Sequence, residues 1–165
     1  ELGWLPQVQL SYGERYKPPF VLPEFPLKLN GGGILESNWA RGGWSLIYAD
    51  LSDCSEDCLR SLSVLENVQL AASDEIESIQ VVYLYGAKDS ASVNIPELPG
   101  GLIIGRIEGP TAAPLREVLG DKSLVKGRIY IVNPSGKLVF SYPSDAEEHG
   151  VLRDLKRLIA LNRIV

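Results

Sequence analysis

The feature that most constrains this chain is a change of hydrophobic pattern between Trp44 and Leu65, WSLIYADLSDCSEDCLRSLSVL. The apolar run from Trp44 to Ala49 has the length and residue types of a buried strand. It stops at a polar cluster, Asp50 to Asp53, that leads directly into a helical pattern. A buried strand handing over to a helix points to an α/β arrangement.

The chain's only two cysteines sit on that junction. Cys54 is expected at or just inside the helix start, with Ser52 or Asp53 as N-cap and Glu56 closing a capping box onto Asp53. Cys58 is one helical turn further on and on the same face. The unpaired N–H groups and positive end of a helix favour thiolate there, so the two sulfurs are expected to be exposed together as a working pair. Four carboxylates, Asp50, Asp53, Glu56 and Asp57, surround them before the first cation, Arg60. Negative neighbours oppose thiolate formation, and the four read either as solvated helix-start residues or as a cation-attracting rim.

The pair has three readings: a reversible dithiol/disulfide, a metal site made by Cys54 and Cys58, and an inert structural bridge. In an ideal helix, Cα atoms four residues apart stand about 6 Å from each other, near the long end of the range a disulfide spans. A bridge therefore requires the first turn to unwind. As a staple it contributes little, because so short a ring removes little chain entropy.

With 165 residues and 45% apolar content, the chain suits one well-buried domain. A net charge of −5 without any basic block excludes a nucleic-acid or anionic-lipid surface. No apolar run approaches the roughly 20 residues of a membrane span, and no signal peptide is visible. The sequence holds no methionine, which reads as a processed piece of a longer precursor whose removed part would be a signal or an N-terminal membrane anchor. An even cysteine count fits an oxidising, extracytoplasmic compartment.

In chain order, residues 1–26 carry five prolines and read as an extended N-terminal arm. Residues 27–165 read as a single domain. Phe25 to Leu29, the turn Gly31-Gly32-Gly33 and Ile34-Leu35 form an edge hairpin. The cysteine helix runs over about 54–71, with Leu59, Leu62, Leu65 and Val68 on its core face. Ile79 to Tyr85 is a second buried strand, parallel to the first. Residues 86–101 form a connection long enough to be functional. Leu102 to Glu108 is a strand, and a short helix capped by Thr111 stops at Gly120. Arg128–Val132 and Lys137–Ser141 make a hairpin around Asn133-Pro-Ser-Gly136. The last helix starts at Ser144 or Asp145 and ends near Asn162, with Val151, Leu152, Leu155, Leu158 and Ile159 at helical spacing.

The order β–α–β, helix, hairpin, helix, with cysteines after the first core strand, is that of a thioredoxin-like fold, here with an N-terminal β-hairpin extension. Gly43 to Leu65 together with Gly127-Arg-Ile-Tyr-Ile-Val-Asn-Pro-Ser-Gly-Lys-Leu-Val resembles the Sco family (SenC/PrrC-like cytochrome oxidase assembly proteins). In that family a C-x-x-x-C motif follows the first core strand, as Cys54-Ser-Glu-Asp-Cys58 does, and a hairpin like Ile129 to Gly136 precedes the last helix. The likeness spans about residues 20–162. It implies copper held by both cysteines and a histidine shortly before the hairpin, a protein partner such as a cytochrome oxidase subunit, and a periplasmic location tethered to the inner membrane.

Aligned on Ile129-Tyr130, the histidine position reads Val125. A soft Cu(I) ion accepts two thiolates, whereas Cu(II) also wants a nitrogen. The sole histidine, His149, lies among Glu147, Glu148 and Gly150 at a helix start, where a solvated polar residue needs no metal to explain it; it stands as a remote third-ligand candidate. The cis-proline that thioredoxin-type oxidoreductases place before the hairpin is absent from Val125-Lys126-Gly127, as it is in the Sco family. Two functions follow: a Sco-like thiol accessory protein using Cys54 and Cys58 for disulfide exchange with copper as possible cargo, or a thioredoxin-fold binding module without catalysis. A peroxiredoxin-like peroxidase lacks the Thr/Pro-rich approach to its cysteine.

Overall fold

The computed structural model describes residues 12–75, 78–86 and 101–164. Among them, eight strands form one sheet in the order β1-β8-β7-β4-β5-β6-β2-β3. The strands are β1 (Glu14–Val21), β2 (Leu27–Leu29), β3 (Ile34–Leu35), β4 (Trp44–Asp50), β5 (Ile79–Tyr85), β6 (Ile103–Arg106), β7 (Arg128–Val132) and β8 (Lys137–Pro143). The helices are α1 (Glu56–Ala72), α2 (Ala113–Leu119), α3 (Asp121–Lys126) and α4 (Glu148–Ile164), with a 3₁₀ turn at Pro110–Ala112.

Strand β4 is central because every residue from Trp44 to Asp50 is buried. It runs parallel to β5, with Trp44 opposite Ile79 and Asp50 opposite Tyr85, and antiparallel to β7 on its other side. A strand buried on both faces needs two covering layers. The first packs Leu62, Leu65 and Val68 of α1 and Val151, Leu155 and Ile159 of α4 on Trp44, Leu46 and Tyr48. The second covers Ile47 and Ala49 with Leu22, Phe25, Leu115 and Leu124. Each fully buried aliphatic side chain contributes roughly 1.5–3 kcal/mol to that packing.

Several expectations are met residue by residue. The hairpin before the core strand forms, with Leu27 opposite Leu35, and β5 has the expected bounds. Of the proposed arm, residues 1–11 lie outside the described ones, and Glu14–Val21 joins the sheet beside β8. The long connection falls almost wholly on residues 87–100, also outside the described ones.

Four details differ. Leu59 is only half-buried, because the core stripe of α1 runs through Cys58, Leu62, Leu65, Val68 and Ala72 and leaves position 59 to one side. The last helix begins at Glu148 rather than 144 or 145: the Ser144 carbonyl accepts from Arg60 Nη2 at 2.8 Å and Ser61 Oγ at 2.9 Å, which holds that stretch as a loop on α1. Thr111 caps nothing; the turn starts at Pro110 after Gly109, and Arg116 Nη1 donates to the Gly109 carbonyl at 2.8 Å. After the expected stop at Gly120 a further short helix, α3, follows at once.

Candidate functional site

The site lies where β4 passes into α1. Cys54 and Cys58 are joined in a disulfide with Cα atoms 5.1 Å apart. That separation is shorter than a regular helix gives, and the chain meets it by starting α1 only at Glu56, with Ser55 in an extended conformation as N-cap. Cys54 therefore precedes the helix, and the capping box between Asp53 and Glu56 has no place to form. The Ser55 side chain makes no capping hydrogen bond either.

The two sulfurs are not equivalent. Cys58 is 0% exposed, on the core stripe with Leu62 and Leu65, whereas Cys54 is half-buried against the edge of the same cluster. The expectation of a jointly exposed pair thus fails for Cys58. Its spacing of four and then seven residues from Leu62 and Leu65 is a core period, so its burial was readable from the sequence. An attacking group from solvent meets Cys54 first.

The four carboxylates also divide. Asp53, Glu56 and Asp57 are exposed, as a solvated rim would be. Asp50 is not part of that rim: it is 4% exposed. Its Oδ2 accepts from the Tyr48 hydroxyl at 2.7 Å, and its Oδ1 accepts from the Ser52 backbone N–H at 2.8 Å. Burial raises the Asp50 pKa above the ordinary carboxylate range, although both hydrogen bonds pull the other way. Burial, reinforced by the hydrogen bond and charge of Asp50, likewise holds the Tyr48 phenol far above its usual value. Tyr83, whose ring centre lies 5.9 Å from that of Tyr48, is raised by burial and then by the Asp50 charge. Residues two apart on a strand share a face, so the Tyr48 and Asp50 contact was legible in the sequence, but the reading of Asp50 as a turn residue hid it.

The turn after Asp50 is pinned from the other side by the corner between α3 and β7. Leu51 N–H donates to the Leu124 carbonyl at 2.9 Å and Ser52 Oγ to the Val125 carbonyl at 2.8 Å. Gly127 closes the corner with φ +82°, and a Cβ there would strike the Tyr48 hydroxyl and lie 3.0 Å from Asp50 Oδ2. Position 125, where the Sco resemblance sets a histidine, is thus held beside the cysteine turn, and valine brings no donor to it. Its side of the molecule is open, since Val125 is 55% exposed.

His149 is exposed in the first turn of α4. The loop before it packs on α1 through the Ser144 contacts and an Asn67 to Glu148 hydrogen bond of 2.9 Å, and these lie along the helix rather than at the cysteines. Among the described residues no three or more His, Cys, Asp or Glu side chains are grouped to hold a metal ion. Once reduced, the pair offers two sulfur donors, a set that suits Cu(I) better than Cu(II).

Residues 44–162 match the family model described as transmembrane-like, thioredoxin-like, C-terminal domain. No curated protein matches the chain. Among solved structures, yeast Sco1 with copper bound superimposes with a TM-score of 0.64 at 18% identity, over 85% of this chain and 92% of that one. BsSco, a member of the Sco family of cytochrome c oxidase assembly proteins with a disulfide switch, gives 0.62 at 15% identity over 93% and 99%. A SCO1/SenC family lipoprotein from Bacillus anthracis gives 0.61 at 15% over 85% and 96%. At these identities the likeness is one of fold, and it is the thioredoxin-like fold expected from the order of elements. No helix among the described residues is long and apolar enough to cross a membrane.

Proposed function

This chain belongs to the family of transmembrane-like, thioredoxin-like C-terminal domains, and from that premise we propose that it is a Sco-like thiol accessory protein that exchanges disulfides with the copper-site cysteines of a cytochrome oxidase subunit. The observation that carries this reading is the bridge between half-exposed Cys54 and buried Cys58 at the strand–helix junction. An accessible sulfur bonded to a protected one is the arrangement exchange needs, because a mixed disulfide forms at the first while the second waits to resolve it.

In the reducing direction the Cys54 thiolate attacks a target disulfide and expels one target thiolate, which takes up a proton. Cys58, losing its proton, then attacks Cys54 Sγ and releases the second target thiol. Two electrons have passed to the target and the Cys54–Cys58 bridge has formed; an external dithiol donor reduces it for the next round. The reduced pair also suits Cu(I) as cargo, held by two thiolates alone. The match to a transmembrane-like family model and the likeness to a lipoprotein support work outside the cytoplasm, at the periplasmic face of the inner membrane.

A second reading, a binding module with an inert bridge, is favoured by the complete burial of Cys58. The two separate in one experiment: the purified protein is equilibrated in glutathione buffers of stepped potential, and its reduced form is then titrated with Cu(I). The proposal expects a reversible two-electron couple, and uptake of about one Cu(I) that Cys54→Ser abolishes. A pair that glutathione and dithiothreitol leave oxidised, or a reduced protein that ignores copper and re-forms no bridge, would hand the case to the binding module.

A further inference from the structure

The buried carboxylate four residues before Cys54 is not used by the exchange reaction, yet it ends the strand from which the turn to the accessible sulfur departs. Asp50 accepts from the backbone of Ser52 on one oxygen and from Tyr48 on the other, and Tyr48 is itself buried in the core on β4, beside Tyr83 of β5. The Ser52 hydroxyl then ties the turn to Val125, and the Leu51 amide ties it to Leu124. Residues 51 and 52 are thereby held from both sides, by Asp50 from the strand and by the α3–β7 corner from across it. The corner in turn is shaped by Gly127, which leaves room for the Tyr48 hydroxyl and the Asp50 carboxylate.

A disulfide closes readily when its two thiols are held at bonding distance, and the equilibrium constant for closure measures how well they are held. Cys58 is fixed by the packing of α1; Cys54 precedes the helix, with no side-chain cap on the helix start to hold it. We propose that Asp50 is the positioning residue of the thiol pair, its carboxylate clamping the turn at Ser52 so that Cys54 stays poised over Cys58. The inference rests on the exchange reading above, and it adds to that reading the group that sets how tightly the bridge closes.

The test is the thiol–disulfide equilibrium of the whole protein against glutathione at pH 7, for wild type, Asp50→Ala and Asp50→Asn, with circular dichroism confirming that each variant is folded. The alanine variant loses both acceptors, and its closure constant should fall about tenfold, a potential about 30 mV more oxidising. The asparagine variant keeps a carbonyl oxygen for the Ser52 N–H and should stay within about threefold of wild type. An alanine variant that unfolds more easily while its closure constant holds within about twofold would make Asp50 a structural residue only. An asparagine variant that falls as far as alanine would show that charge rather than the clamp matters, and would equally overturn the proposal. Absence of a reversible couple in the wild type removes the exchange reading first and this inference with it, whereas a normal wild-type couple with unmoved variants removes the inference alone.

Discussion

Asp154 and Asp50 are both carboxylates taken almost wholly out of water, at 1% and 4% exposure. Asp154, on α4, accepts from the Tyr12 and Gly13 backbone N–H groups and from the Tyr142 hydroxyl. Two of these donors come from more than 140 residues away in sequence, so the carboxylate joins the lead-in of β1 to the final helix. Tyr12 stacks on Tyr142 with ring centres 5.8 Å apart, and its hydroxyl accepts from the Glu147 N–H at 2.9 Å. Asp50 has two donors, both two residues away in sequence. A buried acid fed by distant donors holds the fold together; one fed by adjacent donors shapes a turn. Burial alone therefore does not tell whether a charged group serves stability or geometry, and the origin of its donors does.

This contrast can be broken at three points. The largest effect belongs to Asp154→Ala, which strips the acceptor from three donors, the Tyr12 and Gly13 N–H groups and the buried Tyr142 hydroxyl. It should cost about 3 kcal/mol in urea unfolding, counting roughly 1 kcal/mol for each orphaned donor, and leave the glutathione equilibrium of the cysteines unchanged. A shift in that equilibrium would mean that the two carboxylates are coupled across the sheet. Next comes Gly127→Ala, where a positive φ and a collision with the Tyr48 hydroxyl act together. The expected loss is about 2 kcal/mol, and here closure of the bridge should weaken as well, because the corner that pins Ser52 is displaced. If thermal stability falls and closure does not, the corner has no part in holding Cys54.

The smallest effect is the pH dependence of stability traced to Asp50. Burial raises its folded pKa, so its contribution is complete below the unfolded carboxylate value of about 4 and is lost as pH rises through the folded value. Chemical denaturation between pH 4 and 7 should therefore show Asp50→Asn gaining on the wild type as pH rises. A difference that shrinks over that range would reverse the sign assigned to the site.

How much of this was legible beforehand follows from the range over which each feature is determined. The apolar runs at 44–49, 79–85 and 128–132 are local signals of burial, and all three became core strands. The strand–helix–strand order around Cys54 and Cys58 led to the fold for the same reason. The division of labour between the cysteines was half visible, in the core period that Cys58 shares with Leu62 and Leu65. The burial of Asp50 was not, because it depends on Gly127 and the α3–β7 corner arriving from some 75 residues further on. A motif shows which groups are adjacent in sequence, and only the packing shows which of them solvent reaches.

The positions of β1 and β3 in the sheet have a consequence for the whole chain. Both outermost strands come from residues 14–35, the stretch that precedes the central strand. These residues act as selvedges on both sides of a woven core that begins at Trp44. Without them β8 and β6 would each present a row of bare amides and carbonyls along a nearly full-length border. Both rims of the sheet are thus supplied by residues that precede its central strand, and Pro18 and Pro19 deprive the β1 rim of two amide donors that a neighbouring strand could use.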